Sequence, residues 1–405
     1  MALLAGLLPV VVVGPGGTAS AAEQCATAGT QVAPVPWAQQ RLEPETIWPV
    51  ADGSGVRVAV LSSGVDATQP QLAGRVAAGF NELSTGSKAG NSDCEGLGTQ
   101  VAGIIAARPS AAVGFHGLAP GATIVPVRVA PSAVIANSNE TSPAKLAKAL
   151  RDVLAAKPAI IVVPVVTYVD DPAVRSAVAS AVAGGIVVIA AVGDVRKSTD
   201  GPGVPYPAAY PKVVGVGAVD ADGNLGSDSA VGYVDLVAPG EDLVSTQRAG
   251  GLVAVSGTGI AAAYVAGSAA LVRSRWKSAT GPEVVRRLLA TATPMGGSPG
   301  YGYGMVSPAQ AVSETMASTG PSPMPSGLGP PPTTPADRAA WQRSTWLALG
   351  MAAALLTVAA LVLMFAVALP RGRRRQWSPG IASPPPEHPE DDLPSPPVLL
   401  FDDRT

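Results

Sequence analysis

The stretch Ser256-Gly257-Thr258-Gly259-Ile260-Ala261-Ala262-Ala263-Tyr264-Val265-Ala266-Gly267 decides the fold of this chain of 405 residues. It predicts a tight glycine turn followed by an apolar helix of small side chains, which continues until a basic run at 273–277. Small side chains let a helix pack close to its neighbours. We therefore expect this helix to form the packed centre of a large domain.

Segments typical of strands and of helices alternate along the rest of the chain. Short apolar strands are expected at 58–61, 124–129, 160–166, 186–191, 213–219 and 233–237, and helices at 101–107, 143–154, 172–182 and 282–291. This alternation predicts an α/β fold, with a parallel sheet that carries helices on both faces. Ligand sites of such folds lie at the carboxyl ends of the strands.

The composition limits the possible partners. A formal net charge of -2 excludes a strongly basic surface for nucleic acid, and we expect neither a cofactor nor a metal. The hydrophobic content of 47% suits a parallel sheet buried on both faces, together with some sequence inside a membrane. The two cysteines, Cys25 and Cys94, predict one disulfide in an exported protein, and two unpaired buried thiols are the alternative.

Both ends of the chain predict export and membrane anchoring. Residues 1–22 end in an Ala-x-Ala cleavage pattern, but no basic residue precedes their apolar run, which favours a truncated signal peptide. The uncharged segment 346–369 is long enough to cross a bilayer, and the basic flank at 371–375 places the carboxyl terminus in the cytoplasm. The predicted organisation is a signal peptide (1–22), an N-terminal extension (23–55), the main domain (56–314), a Pro/Ser/Gly-rich linker (315–345), a transmembrane helix (346–369) and a disordered cytoplasmic tail (370–405).

Several segments resemble the subtilisin-like serine proteases of the peptidase S8 family. The opening stretch is similar to the nucleophile motif G-T-S-x-A-x-P, and residues 206–219 and 234–240 are similar to segments that precede it in the family. Within the family the chain resembles the mycosins, the membrane-anchored proteins of type VII secretion systems. Residues 36–42, Trp48-Pro49, the position of Cys94 and the single carboxyl-terminal span carry this closer resemblance.

The resemblance also implies where the catalytic groups would stand. Ser62 takes the place of the aspartate, Leu97 that of the histidine and Gly259 that of the serine nucleophile. Asp194 takes the place of the oxyanion-binding asparagine and would bring a negative charge to that position. His116 is expected to be a packing or surface histidine remote from the glycine turn. These substitutions predict that the chain is not an enzyme and that no catalytic residue is intact.

The expected function follows from the resemblance and the substitutions together. We expect a pseudoprotease of the extracytoplasmic membrane face that acts as a scaffold or peptide-binding component of a type VII secretion system. Its partners would be membrane components of that system, a peptide in the old substrate groove, and the membrane itself. Two alternatives stay open: an active serine endopeptidase that uses non-standard residues, and an extracellular binding module unrelated to secretion.

Overall fold

A computed structural model describes residues 25–32, 34–83, 89–130, 141–193, 203–227 and 229–314. The predicted signal peptide, linker, transmembrane helix and cytoplasmic tail lie outside these residues, as does Asp194. Within the described ranges, none of the helices combines the length and the apolar character that a membrane crossing requires.

A parallel sheet forms the middle layer of the domain. Its strands are β1 (Arg57–Ser62), β2 (Phe80–Asn81), β3 (Thr123–Arg128), β4 (Ile160–Val163), β5 (Val187–Ala191), β6 (Val214–Val219) and β7 (Leu236–Pro239). Their hydrogen-bonded order is β2-β3-β1-β4-β5-β6-β7, and every neighbouring pair runs parallel. Strands buried on both faces need continuous apolar runs, and the central strands are buried along nearly their whole length.

Helices cover both faces of this sheet, since the central strands are buried at every residue. The helices at 97–106 and 258–275 pack against each other, and those at 143–152 and 172–183 pack against each other, so the helices form two separate groups. The helices are α1 (Trp37–Leu42), α2 (Leu97–Ala106), α3 (Pro143–Asp152), α4 (Pro172–Ala183), α5 (Thr258–Arg275), α6 (Gly281–Ala290) and α7 (Pro308–Ser313). Parallel strands with flanking helices form the α/β fold expected from the sequence.

Helix α5 is the most deeply buried helix among the described residues. All of residues 258–272 are buried, and the helix packs on α2 and on strands β4 to β7. Small side chains make this approach possible: a Cβ atom at Gly267 would lie 2.9 Å from the Cβ atom of Leu118. The expected central position of this helix is therefore observed.

Three predicted boundaries were wrong for local physical reasons. Strand β4 ends at Val163 rather than at 166, because Pro164 follows and has no amide hydrogen for the ladder. Strand β7 begins at Leu236 rather than at 233, since Tyr233 has a left-handed backbone with φ of 62°. Helix α2 begins at Leu97, four residues before the predicted start, after Gly96 at a φ of 104°. A two-stranded antiparallel sheet was not anticipated, formed by β8 (Leu243–Thr246) and β9 (Leu252–Val255).

The N-terminal extension is fixed to the domain at several points. A disulfide joins Cys25 to Cys94, and Thr30 exchanges two backbone hydrogen bonds with Leu252, so that the extension pairs with the edge of β9. Farther along, the buried Gln39 of α1 donates its Nε2 hydrogen to the carbonyl of His116 at 2.9 Å. Together these contacts hold the extension against the main domain.

We expect the disulfide to contribute strongly to stability, because it closes a loop with a sequence separation of 69 residues. Cys25→Ser combined with Cys94→Ser should lower the free energy of unfolding by about 2–4 kcal/mol in urea titrations of the oxidised protein. A reductant should destabilise the natural chain and leave the double variant unchanged. Equal stability of the two oxidised proteins would contradict this role.

Candidate active site

The candidate site lies at the carboxyl ends of β1 and β4, where α2 and α5 begin. Ser62 is the last residue of β1, and its carbonyl accepts hydrogen bonds from the amides of Val129 and Ala130. Its side chain is fully buried, and its Oγ has no hydrogen-bond partner among the described residues. A buried hydroxyl without a partner costs free energy, so this position is not explained by packing alone.

Leu97 begins α2 next to the turn that follows β1. The two segments touch at backbone level, since a Cβ atom at Gly98 would lie 1.7 Å from the carbonyl oxygen of Gly64. The amide of Gly98 also donates to Oγ of Ser63 at 3.0 Å. Leu97 is only 9% exposed, and its apolar side chain belongs to the main hydrophobic core.

Gly259 is the second residue of α5, behind the turn residue Gly257, which has a φ of 119°. A Cβ atom at Gly259 would lie 2.7 Å from the carbonyl oxygen of Pro164 and 3.1 Å from its Cβ atom. Pro164 directly follows β4, the neighbour of β1 in the sheet. Ser62, Leu97 and Gly259 therefore lie on the side of the sheet where the carboxyl ends of the strands are, and residue 259 has no room for a side chain without a local shift.

A network of carboxylates and hydroxyls fixes the loops around this edge. Asp93 accepts hydrogen bonds from the amides of Glu95, Gly96 and Thr99 and from the Thr99 hydroxyl, at 2.7–3.0 Å. The Thr99 hydroxyl in turn accepts the amide hydrogen of Asp66 at 2.9 Å. These bonds tie the start of α2 to the loop after β1.

The side chain of Asp66 belongs to the same network. Its burial raises the pKa of the carboxyl, but hydrogen bonds from the Ala249 amide and from Thr68 outweigh that effect, and the pKa lies below its ordinary value. Asp66 is thus a charged group that holds the hairpin between β8 and β9.

By contrast, burial raises the pKa of Asp235 to about 6, although the amide of Gly215 donates to it. Asp235 directly precedes β7 and so lies at the amino ends of the strands, on the side of the sheet away from the candidate site.

His116 lies far from the candidate site in the fold. It stands in the loop between α2 and β3, at the amino ends of the strands. Its Nε2 atom lies 2.6 Å from a carboxylate oxygen of Glu45, and its ring packs edge-on against Trp48 with centroids 5.0 Å apart. The contacts explain its 6% exposure, and they tie it to the N-terminal extension.

Two features of the site were not anticipated. Pro164 packs against Gly259. Arg128 is the last residue of β3 and is in register with Ser62, and its buried Nε has no hydrogen-bond partner among the described residues. The proline after an apolar run was a visible signal for the end of β4. In the part of the chain that the structure describes, no group of three or more acidic, histidine or cysteine side chains could hold a metal ion.

Residues 53–305 match the family model for the peptidase S8, or subtilase, family. Since this match spans more than half of the chain, the chain belongs to the subtilase family. Among its relatives, subtilisin NAT of Bacillus subtilis subsp. natto is 36% identical over 255 residues, which are 63% of this chain and 65% of the relative. The chain therefore spans somewhat less than two thirds of that relative's length.

Two solved structures of mycosins are similar to this chain. The MycP3 protease from a type VII (ESX-3) secretion system superposes with a TM-score of 0.62 at 32% identity, over 72% of this chain and 93% of that structure. The serine protease MycP1, described as an essential component of the type VII (ESX-1) secretion system, gives a TM-score of 0.62 at 29% identity, over 72% and 92% of the two chains. The resemblance to mycosins is thereby confirmed.

These comparisons correct one expectation. The prediction that the chain is not an enzyme is wrong as a statement of class, because the family is one of peptidases and the solved relatives are serine proteases. The assignment of Ser62, Leu97, Asp194 and Gly259 to the catalytic positions of the family stays a prediction.

The close approach of Gly259 to Pro164 predicts a specific sensitivity to substitution. Gly259→Ala should lower the free energy of unfolding by about 1–3 kcal/mol, because the new Cβ meets a backbone carbonyl that cannot rotate away. Gly232→Ala is the matched control, since a Cβ atom there has nothing within 4 Å. Urea titration of both variants tests the contact, and equal stability would show that residue 259 has free space.

Proposed function

We propose that this chain is a mycosin-like component of a type VII secretion system, held at the extracytoplasmic face of the membrane. In this role it binds an extended peptide segment beside the start of α5 and acts as a scaffold for the membrane complex. The observation that carries the proposal is the likeness to MycP3 and MycP1, which spans more than nine tenths of both structures.

The extent of this likeness supports a mycosin role over a general subtilase role. The superposition with MycP3 covers 72% of the chain, which is more of the chain than residues 53–305, the part matched by the subtilase model. The likeness to MycP3 therefore reaches beyond the family domain. In this chain the N-terminal extension adds α1, the disulfide and the pairing of Thr30 with β9. Because the extension is fixed to the domain, its exposed surface keeps one conformation, which suits a scaffold.

A shallow cavity at the hairpin that precedes α5 supports peptide binding. Its volume is about 360 Å³, and it opens on the hairpin of β8 and β9, two residues before α5 begins. Apolar and polar groups both line it, a combination that suits a peptide backbone with small side chains. The lining residues are Asp242, Leu243, Val244, Ala254, Val255 and Ser256.

Serine-type endopeptidase activity is the second candidate function, and membership of the subtilase family favours it. It would require a nucleophile and a base other than the residues at positions 259 and 97. His116 lies at the amino ends of the strands, away from the candidate site, and is held by Glu45. His388 lies outside the described residues.

Co-purification and active-site labelling of the full chain distinguish these functions. We expect the detergent-solubilised chain to co-purify with membrane components of a type VII secretion system. Ala254→Glu, which places a charge in the cavity, should weaken that association at least tenfold if a peptide segment of the complex occupies it. Val231→Glu is the control, because Val231 is similarly apolar and 60% exposed but lies outside the cavity.

Each other outcome has a defined meaning. Recovery of no secretion component would contradict the proposal and favour an extracellular binding module unrelated to secretion. Labelling of one serine by a fluorophosphonate, together with cleavage of casein that is lost when that serine is replaced, would favour the endopeptidase. Equal loss of association in both variants would show that the cavity is not the peptide site.

A further inference from the structure

A basic surface lies at the end of the domain opposite the candidate site. It is formed by the end of α5 and by α6, and within residues 273–290 the acidic side chain is Glu283 alone. We use the name "basic surface" for Arg273, Arg275, Lys277, Arg286 and Arg287. With Glu314, which contacts Arg287, five cations stand against two carboxylates, so the patch is positive on a chain whose net charge is -2.

Stacking on one indole ring brings the charges of the two helices together. The guanidinium carbon of Arg275 lies 4.8 Å from the centroid of the Trp276 ring, and that of Arg287 lies 4.5 Å from the same centroid. Two guanidinium groups on one ring would repel each other unless the ring or an anion compensated them. The arrangement therefore concentrates positive charge rather than dispersing it.

Only part of this charge has a structural use. Arg273 and Arg275 stand in the last turn of α5, where cations stabilise the helix dipole, and Arg287 donates to the carbonyl of Glu314 at 2.9 Å. Lys277 and Arg286 are exposed and make no ion pair among the described residues.

Two hydrogen-bond donors beneath the basic surface lack acceptors. Nη1 of Arg273 and Nε1 of Trp276 are both buried, and neither has an acceptor among the described residues. Because these atoms have almost no exposed area, the exposed cations, led by the guanidinium of Arg275, are the groups that phosphate oxygens can reach.

The direction of α5 places the basic surface at the edge away from the cavity. The helix begins beside Pro164 at the carboxyl ends of the strands and ends where Ser274 accepts the amide hydrogen of Gly53, ahead of β1. Helix α7 returns toward the same edge, and the chain leaves the described domain at Glu314, in contact with Arg287. The apolar segment 346–369 follows in the sequence.

We propose that the basic surface binds the anionic phosphate headgroups of the bilayer that anchors the chain, which turns the cavity beside α5 away from the membrane. The inference rests on the proposed function only for the membrane location, and its test uses no secretion component. Each exposed cation near an anionic bilayer contributes about a fivefold change in partition, and this contribution disappears when salt shortens the Debye length.

The test measures how close the basic surface lies to lipid headgroups in proteoliposomes of the full chain. A donor fluorophore is attached at Ser278→Cys, an exposed position between Lys277 and α6, and an acceptor is carried by the lipid headgroups. Vesicles of phosphatidylcholine alone are compared with vesicles that also contain phosphatidylglycerol. Flotation of the vesicles first confirms that the chain is anchored, so that a missing anchor is recognised separately from a missing surface contact.

We expect energy transfer to be high only with phosphatidylglycerol at about 0.01 M salt and to fall at about 1 M salt, where the Debye length is ~3 Å. The exposed-charge variant Arg275→Gln, Lys277→Gln, Arg286→Gln should lose this transfer. The control variant Lys145→Gln, Arg151→Gln, Lys212→Gln removes three cations from other parts of the surface and should retain it.

Three results would overturn the proposal. Equal transfer in both kinds of vesicle would show that anionic lipid is not recognised. An equal loss in the control variant would show an effect of net charge alone. Competition by inorganic phosphate at matched ionic strength, without any dependence on the lipid, would assign the surface to free phosphate.

Discussion

The packing of α5 against the sheet is the constraint on which the rest of the structure depends. A helix that is buried between a sheet and another helix needs small side chains where the backbones approach. Eight of the fifteen buried residues from 258 to 272 are alanine or glycine, and Gly259 and Gly267 are positions of close approach. The start of the helix thereby fixes the candidate site, and its end fixes the basic surface.

Two ends of one buried helix thus carry two different kinds of chemistry. Its start lies among apolar and small residues, next to a cavity that suits a peptide backbone. Its end carries guanidinium groups around Trp276, close to where the chain leaves the described domain. In the proposed arrangement the same helix sets the distance between a peptide site and a membrane surface. A domain organised in this way is suited to holding a partner at a fixed height above the bilayer.

Much of the fold was predictable because its signals are local. Continuous apolar runs identify the buried strands, and the small-residue pattern identifies α5. The hairpin of β8 and β9 was missed since its strands have four residues each and since Ser245 and Thr246 are buried by hydrogen bonds to α2, not by hydrophobicity. The contact between Gly259 and Pro164 joins segments far apart in the sequence, and no local pattern indicates it. The family could be identified from motifs in the sequence, but the expectation that the chain is not an enzyme was wrong, because it rested on the predicted substitution of four catalytic positions and the relatives are proteases.

Native-state hydrogen exchange of the backbone amides is the most direct test that α5 organises the domain. The account predicts that amides of the buried part of the helix, residues 262–271, exchange only through global unfolding, with the same free energy as the amides of β1 and β4. Exchange of these helix amides at a clearly lower free energy, while the central strands stay protected, would contradict the account, because the sheet would then hold together without its central helix.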